Sequence, residues 1–391
     1  MATLWSGVAI VGGVAAPAAR ASNGNAPAAD PVPTVPQTTG GGIPGNNHQT
    51  TVVVGPVNTA TGEHFETDTD LAIPGHGLAL DLTRTYSTNL LPTGDPPFGV
   101  GWIYSYGMAL VINQATGNVT VDQGNGSAVL YVPSGGGAYT GPTNDRATLT
   151  QHPDGTFTYA RTTGEDYDFD SNGRLLSEVD RNGNTTTLTY SGRQLTSVTD
   201  PGGRSFTFTY DSSGHIATVT DPVKRQLTYT YDTAGDLTSV EDAADRVWTY
   251  GYDSTHHLTS ETDPRGGVTT FVYDGLGRTT SVTDPLGRTT TYAYNGTMGG
   301  VETTDVTDPR GNTTAYAYQS LELMTKTEAL GTADQATTTY TYDPTTLGIT
   351  SITDPLGHVT TYAYDPAGNT LSATDGLGNT ATSTYNGFDE P

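Results

Sequence analysis

The chain has 391 residues, of which only 34% are apolar, and its 49 glycines and 23 prolines predict many turns and no thick core. A disordered chain is excluded by its 23 tyrosines, because disordered segments are depleted in aromatic residues. With 41 acidic against 16 basic residues and no cysteine, the chain is not expected to bind nucleic acid, form disulfides or use thiolate chemistry.

The first 21 residues form a signal-like segment. Residues 4–19 are weakly apolar, but the stretch is too short and too rich in glycine to span a bilayer, so no membrane insertion is expected. The Ala19-Arg20-Ala21 sequence resembles a signal cleavage site, yet no basic residue precedes Leu4, so cleavage stays an open question. Residues 22–50, rich in Pro, Gly, Asn and Ala, predict a flexible linker.

Residues 51–165 lie between this linker and the repeats that fill the rest of the chain. Four short stretches stand out in their first half: residues 55–63 (GPVNTATGE), 70–75 (DLAIPG), 82–87 (LTRTYS) and 98–102 (FGVGW). They do not share the pattern of the later repeats. We treat 51–165 as an opening β domain that precedes the repeats.

Residues 166–391 contain about ten copies of one unit, and each copy closes on a tyrosine. The tyrosines are spaced 20 to 24 residues apart, which indicates an array of stacked supersecondary units. They are Tyr190, Tyr210, Tyr231, Tyr252, Tyr273, Tyr294, Tyr318, Tyr342, Tyr364 and Tyr385.

Each unit carries two turn signals. One is Asp-Pro-x-Gly, as in residues 284–287, and the other follows the tyrosine, as in residues 210–214 (YDSSG). The segments between the turns are short and rich in Thr, Val and Tyr, which predicts two strands per unit joined as an antiparallel hairpin. The predicted fold class is therefore all-β, a repeat array of hairpins in a curled or spiralling sheet.

The two faces of this sheet are expected to be similar. Tyr292 and Tyr294 share one side with Thr290, and neither side is apolar enough for the core of a sandwich, so we expect the sheet to curl around a solvent-filled space. The tyrosines would then pack successive hairpins together. Residues 319–336 lack an Asp-Pro turn and are predicted to be an irregular insert.

Two groups of carboxylates are candidate metal sites. Residues 168–173 (DFDSNG) imitate the first half of a calcium loop, but Val179 stands where that loop needs Glu, so a hairpin turn is favoured. The recurrent aspartates of the other turn could form a cation ladder, but capping of their own turns is favoured. They are Asp200, Asp221, Asp242, Asp263, Asp284, Asp308, Asp354 and Asp375.

No catalytic, cofactor-binding or metal-binding residue is assigned, and the protein is predicted not to be an enzyme. The histidines form no metal-binding spacing, and no serine lies in a Gly-x-Ser-x-Gly elbow. His256 and His257 are interpreted as a solvated turn. The eight histidines are His48, His64, His76, His152, His215, His256, His257 and His358.

The unit Gly-x-Leu-Thr-Ser-Val-Thr-Asp-Pro-x-Gly-Arg-x-Thr-x-Tyr-x-Tyr-Asp resembles the YD repeat of RHS proteins, a family that includes bacterial polymorphic toxins, wall-associated proteins and teneurins. The stretches in the opening domain resemble the domain of unknown function that begins many RHS proteins. This resemblance implies a hollow β-shell that sequesters a toxic C-terminal domain. It also implies a secreted or cell-surface location.

RHS proteins normally continue to a self-cleaving Asp-Pro-x-Gly-Leu motif and a variable toxin. Neither follows here, so we expect a truncated chain that lacks its effector partner and whose strand at 380–385 leaves an edge prone to self-association. The expected function is a non-enzymatic shell segment. The alternatives are a surface adhesin that binds glycans through its tyrosines and, from the enzyme class, a hydrolase or toxin.

Overall fold

The computed structural model describes residues 52–75, 77–93, 96–142, 145–298, 301–344, 346–366 and 368–386. The predicted signal-like segment and linker lie outside these residues, as do His48 and His76. The described chain is nearly all β, and it includes one short 3-10 helix at Thr88–Thr93. In the part of the chain that is described, no helix has the length and apolar character needed to cross a membrane.

The strands are β1 (Val53–Val54), β2 (Val57–Asn58), β3 (Phe65–Ile73), β4 (Leu80–Ser87), β5 (Trp102–Tyr104), β6 (Ala109–Ile112), β7 (Val119–Asp122), β8 (Ala128–Gly135), β9 (Ala138–Thr140), β10 (Thr148–Gln151), β11 (Phe157–Ala160), β12 (Asp166–Phe169), β13 (Leu175–Val179), β14 (Thr185–Ser191), β15 (Gln194–Thr199), β16 (Ser205–Tyr210), β17 (Ile216–Thr220), β18 (Gln226–Tyr231), β19 (Leu237–Glu241), β20 (Val247–Tyr252), β21 (Leu258–Thr262), β22 (Val268–Tyr273), β23 (Thr279–Thr283), β24 (Thr289–Met298), β25 (Val301–Thr307), β26 (Thr313–Gln319), β27 (Glu322–Glu328), β28 (Ala336–Tyr342), β29 (Ile349–Thr353), β30 (Val359–Tyr364), β31 (Thr370–Thr374) and β32 (Thr380–Thr382).

Strands β6 to β32 form one antiparallel sheet of 27 strands, in which each strand pairs with the next along the chain. Two small sheets precede it, β1–β2 and β3–β4–β5. The long sheet is not closed into a barrel. The predicted all-β array of antiparallel hairpins is therefore confirmed.

The first part of the long sheet turns back on itself. The Leu110 amide donates to the carbonyl of Gly173 at 2.8 Å, and Ala109 pairs with Arg174. Strands β6 to β13 contribute fully buried side chains, including Tyr131, to the main hydrophobic cluster. The sheet runs on from this curl into the repeats through the β12–β13 hairpin.

The repeat hairpins share one register. In most of them the pairing shifts by one residue just before the closing tyrosine, which is a β-bulge that re-aims the side chain. The tyrosine hydroxyl then donates to a carbonyl at the start of the preceding hairpin's second strand. The Tyr210 hydroxyl lies 2.9 Å from Leu195 O, and that of Tyr364 lies 2.8 Å from Ile349 O. The tyrosines therefore link successive hairpins by hydrogen bonds as well as by packing.

The recurrent aspartates cap their own turns. The Asp284 Oδ1 accepts from the amides of Leu286 and Arg288 at 2.9 and 3.0 Å, while Arg288 Nε donates to Oδ2 at 2.6 Å. Partial burial raises the pKa of Asp284, but the bonds from Arg288 outweigh it and leave the pKa below its ordinary value. All eight aspartates of this column accept the backbone amide four residues later.

One face of the repeat sheet is apolar, contrary to the expectation that neither face would support a core. In β16 the side chains of Phe206 and Phe208 are buried, while Thr207 and Thr209 on the other face are exposed. The opening strands β3 to β5 lie across the apolar face, and their residues share a single buried cluster with the repeats. The expectation was wrong because the opening domain supplies the apolar partner that the repeats lack.

Two predictions near the C-terminal end of the repeats also fail. The irregular insert predicted at 319–336 contains strand β27, which pairs with β26, while Ser320 and Leu321 form the intervening turn with φ values of 52° and 69°. The strand predicted at 380–385 is limited to β32, and Tyr385 lies beyond it. In the first case β27 also pairs with β28, although the turn that joins them lacks Asp-Pro.

Candidate functional site

The candidate functional site is the seam between the opening strands and the repeat sheet. Strand β4 reads LDLTRTYS, and alternation places Leu80, Leu82, Arg84 and Tyr86 on one side, each at most 1% exposed. That side faces the repeats. Because Arg84 belongs to this buried side of the strand, its positive charge lies inside the seam, away from water.

Arg84 is neutralised by a carboxylate of the neighbouring strand. Its Nε and Nη2 donate to Asp70 Oδ2 and Oδ1 at 2.6 and 2.9 Å, a two-pronged ion pair. The repeats complete the network, because the Tyr229 hydroxyl donates to Asp70 at 2.8 Å and the Tyr250 hydroxyl donates to Asp68 at 3.1 Å. The seam is thus held by charged groups from the opening domain and hydroxyls from the repeats.

Aromatic rings cover the remaining faces of the guanidinium. The Arg84 Cζ lies 4.7 Å from the ring centre of Trp102 and 5.7 Å from that of Tyr229. Burial opposes the charged form of Arg84, but Asp70, Tyr250 and Asp68 outweigh it and raise its pKa. Removing one partner would leave an unpaired charge, which typically costs about 3–5 kcal/mol.

Further contacts extend the seam along successive repeats. The Tyr86 hydroxyl donates to His256 O at 3.0 Å and accepts from the Leu258 amide at 2.9 Å. Trp102 Nε1 donates to the Tyr252 hydroxyl at 2.9 Å. Because each bond reaches a different strand or turn, the opening domain fixes the relative positions of several hairpins.

A glycine turn allows the backbones of the opening domain and the repeats to approach closely at one point of the seam. The Ile216 amide donates to Pro97 O at 2.7 Å, and the Val100 amide donates to Gly235 O at 3.1 Å. Gly99 has a φ of 87°, and a Cβ at this position would lie 2.6 Å from Gly235 O. The Phe-Gly-Val-Gly-Trp stretch therefore needs glycine here for both conformation and space.

The calcium-like loop at 168–173 is a hairpin turn, as favoured. Asp170 Oδ1 accepts from the amides of Asn172 and Arg174 at 2.9 and 3.0 Å. Asp168 lies in β12 and accepts from the hydroxyls of Thr158 and Ser177 at 2.7 and 2.9 Å. Both carboxylates are thus engaged in local hydrogen bonds.

The interpretation of His256 and His257 as a solvated turn is right about the turn but overstates the exposure of the two rings. They do lie in a turn, but their side chains are only 33% and 16% exposed. His256 Nδ1 is 2.8 Å from Asp236 Oδ1, and the His257 ring stacks on Tyr273 with centroids 4.7 Å apart. The preceding hairpin therefore contacts the ring of His256, and the following hairpin contacts the ring of His257.

A second polar cluster lies where β13 faces the opening domain. Burial, reinforced by the nearby charge of Asp81, raises the pKa of Glu178 to about 7, while Arg161 acts in the opposite direction. Arg161 itself donates to Gln123 Oε1 at 2.6 Å and to the Tyr167 hydroxyl at 2.9 Å. A carboxyl that titrates near neutrality gives this region a pH-dependent stability.

The structure is a long antiparallel sheet of hairpin repeats with an opening domain across one face. This arrangement defines a β-repeat protein. The RHS repeat matches four ranges of this chain, which are residues 191–226, 231–268, 273–299 and 346–380. A domain of unknown function (DUF6531) matches residues 55–131. The chain belongs to the RHS-repeat family. The resemblance inferred from the repeat unit and the opening stretches is thereby confirmed.

Curated relatives share part of the sequence. A 143-residue stretch is 33% identical to the tRNA3(Ser)-specific nuclease WapA of Bacillus spizizenii, and an equally long stretch is 32% identical to the tRNA nuclease WapA of Bacillus subtilis strain 168. Each match covers 36% of this chain and 6% of the relative. The chain thus spans a small fraction of the length of these relatives.

Solved structures also resemble the chain. The crystal structure of TcdB2-TccC3 aligns with a TM-score of 0.40 and 14% identity, covering 84% of this chain and 20% of the other. A crystal structure of TcdB2-TccC3-Cdc42 aligns with a TM-score of 0.36 and 14% identity, covering 80% of this chain and 23% of the other.

Sequence reasoning missed the charged seam. Arg84 and Asp70 belong to the stretches quoted for the opening domain, but nothing in their spacing shows that they form an ion pair. A signal was present, because Arg84 has the same strand parity as Leu82 and Tyr86 and is thus predicted to face inward. The partners Tyr229 and Tyr250 could not be found, since that pairing is set by long-range packing.

Proposed function

We propose that the chain is a structural, non-enzymatic segment of an RHS-type shell that encloses or presents an effector polypeptide outside the producing cell. The observation that carries this proposal is the buried Asp70–Arg84 seam, which binds the opening domain to strands β18 and β20. Such a seam stiffens a curved wall. The WapA relatives are named as tRNA nucleases, which supports an effector as the partner.

The inner face of the later repeats offers a surface for that partner. Tyr340 and Tyr362 share the apolar face of the sheet and are partly exposed. Tyr340 packs at the edge of a buried cluster that includes Val57 of the opening domain, and Tyr362 lies beyond that cluster. In β30 the neighbouring Thr361 and Ala363 point to the opposite, exposed face. The two faces of one strand can therefore be compared directly.

Site-specific photo-crosslinking tests the enclosure. A photoreactive residue at Tyr362 should capture a polypeptide in the producing cell, and the same residue at Ala363 serves as the matched control on the outer face. Capture from position 362 alone supports the proposal. Capture from neither position, or from 363 alone, contradicts it.

The absence of enzymatic activity needs its own test, because the relatives are named as tRNA nucleases. We expect purified chain to leave total tRNA intact and its expression to be harmless to the host cell. Cleavage of tRNA that persists in an Asp70→Ala variant and in repeated preparations would assign an activity to the chain and overturn this part of the proposal.

The proposed location is the cell surface or the medium. Fractionation of the producing cells, followed by protease treatment of intact cells, should place the protein outside the membrane. Protection from protease in intact cells and absence from the medium would contradict it.

Glycan binding through the tyrosines is the less favoured function. The rings of Tyr210, Tyr273 and Tyr364 are partly buried, and their hydroxyls are bonded to the preceding hairpin. Rings held in this way are not free to stack flat on a sugar. A glycan array that gives binding abolished by Tyr364→Phe would nevertheless restore the adhesin hypothesis.

A further inference from the structure

Strand β3 lies at the edge of the three-stranded sheet of the opening domain. It pairs with β4 on one side, and the described residues include no strand that pairs along its other side. An edge strand presents backbone N–H and C=O groups that do not bond within its own sheet. The outer edge of β3 is therefore a candidate site for pairing with another polypeptide.

A backbone bond at the start of β3 shows which residues present these groups. The Phe65 amide donates to Pro56 O at 2.9 Å, on the side away from β4. Backbone groups of successive residues in a strand point to alternate sides, so those of Thr67 and Thr69 also point away from β4.

The opposite strand agrees with this direction. Thr83 pairs with Thr69, but the Thr83 carbonyl accepts from the Ser105 amide at 2.9 Å, on the other side of β4. The backbone groups of Thr67 and Thr69 have no hydrogen-bond partner among the described residues. Two donors and two acceptors are thus free at this edge.

The chain itself pairs with the residues just before this free edge. Val57 forms an antiparallel bridge with His64, the residue that precedes β3. Beyond Pro56 the chain leaves the edge, because Gly55, with a φ of 60°, belongs to the turn of the β1–β2 hairpin. The pairing therefore stops before Thr67, and a further strand would continue it along β3.

An open cavity lies where this pairing stops. It is lined by Gly55, Pro56 and Thr67, and by the apolar side chains of Phe271 and Val282 from the repeats. Thr67 is exposed, so a partner can reach its backbone from the cavity. Alternate side chains of a strand point to one side, so a strand paired here can direct a side chain into the cavity.

We propose that the outer edge of β3 binds an extended, basic segment of a partner polypeptide, which adds a strand through the backbone of Thr67 and Thr69. An apolar side chain of this segment fills the cavity. The net charge of −25 favours a basic partner, and the charged residues that line the cavity, Glu66 and Glu261, are both acidic. The site does not depend on the proposed shell function.

Fluorescence anisotropy of a labelled peptide with the whole chain tests the proposal. The peptide is Lys-Thr-Val-Thr-Val-Lys with blocked ends, which is basic and has alternate apolar side chains. The same peptide N-methylated at its four inner residues keeps the side chains and the charge but loses the backbone donors. We expect the unmodified peptide to bind and the methylated peptide to bind at least about tenfold more weakly.

Two variants at one position separate the backbone from the side chain. Thr67→Pro removes the outward N–H and no bond to β4, and edge strands tolerate proline, so peptide binding should weaken about tenfold. Thr67→Ala keeps the N–H and should leave binding unchanged. Absence of peptide binding, equal binding of the methylated peptide, or equal effects of the two variants would overturn the proposal.

Residue-resolved amide exchange by NMR gives a second measurement that needs no variant. In the free protein the amides of Thr67 and Thr69 should exchange rapidly, while those of Glu66 and Asp68, which point toward β4, should exchange slowly. The peptide should slow Thr67 and Thr69. Slow exchange of these two amides in the free protein would overturn the proposal, since another segment of the chain or a second copy would then occupy the edge.

Discussion

The repeats covered by the opening domain differ from the later repeats, although both are built from the same unit. In β20, β22 and β24 the inward aromatic residues Tyr250, Phe271 and Tyr292 are 6%, 3% and 3% exposed. The corresponding residues of β28 and β30, Tyr340 and Tyr362, are only partly buried. The pairing registers are nevertheless alike in the two regions.

This difference shows that the hairpins and the hydrophobic core form for different reasons. Local signals form the hairpins, because each turn aspartate bonds to amides two to four residues away and needs no distant partner. The core forms only where the opening domain supplies an opposing apolar surface. The repeat sequence therefore determines the sheet, and the opening domain determines its stability.

Asp70→Ala should have the largest effect, because it leaves Arg84 buried without its ion pair. We expect a loss of about 3–5 kcal/mol in the free energy of unfolding of the covered repeats. Asp334→Ala, in an exposed loop of the later repeats, should change stability by less than about 0.5 kcal/mol. Urea unfolding of both variants measures the contrast, and equal losses would refute the role of the seam.

Tyrosine-to-phenylalanine substitutions compare, in the two regions, the hydrogen bond from a closing tyrosine to the preceding hairpin. Tyr273→Phe removes the partner of both Leu258 O and His64 Nδ1, so we expect a loss of about 2–3 kcal/mol. Tyr364→Phe removes the bond to Ile349 O in a more exposed hairpin, so about 1 kcal/mol is expected. Chemical unfolding compares them, and a larger loss for Tyr364→Phe would contradict the account.

Glu178→Gln should change how stability depends on pH. The pKa of Glu178 rises to about 7 in the folded protein from an ordinary value of 4.5, so the folded state binds the proton more tightly. Wild-type stability should therefore fall as the pH rises from about 4.5 through 7. At pH 8 the variant should be about 1–2 kcal/mol more stable than the wild type.

Thermal melting across pH 4 to 8 checks this expectation. The difference between Glu178→Gln and wild type should shrink at the acid end, where both side chains are neutral. A difference that stays constant across the series would show that Glu178 does not titrate in this range.

Lys224→Gly should have a small effect, and it should stabilise the protein. Lys224 has a φ of 68° at a turn position that holds Gly287, with a φ of 75°, in a later repeat. Relief of left-handed strain should add about 1 kcal/mol. The reverse change, Gly287→Lys, should cost a similar amount in thermal unfolding. Destabilisation by Lys224→Gly would contradict the equivalence of the two turns.

The turns and strands could be predicted from the sequence, because they depend on residues that are close together along the chain. The turn at Asp284 and the strand that ends at Tyr294 were both found from spacing, since Asp, Pro and Gly act within a few residues. The apolar face was missed because Tyr292 is buried by Val54 of the opening domain, to whose carbonyl its hydroxyl donates at 2.7 Å. No local pattern encodes a partner that lies so far away along the chain.

The insert predicted at 319–336 failed for a related reason. The missing Asp-Pro signal predicts an irregular segment, but β27 and β28 pair across the turn that lacks it, and Glu328 pairs with Ala336. The buried pair of Asp70 and Arg84 was equally hidden, because an ion pair needs geometry that composition does not supply.

Hydrogen exchange measured by mass spectrometry on the whole chain tests most directly the claim that the opening domain supplies the core of the repeats. The account predicts slow exchange in β16 to β26 and faster exchange in β28 to β32, with Asp70→Ala removing the protection of the covered strands. Uniform protection of all repeats, unchanged by Asp70→Ala, would show that the repeats are stable without the opening domain and would contradict the claim.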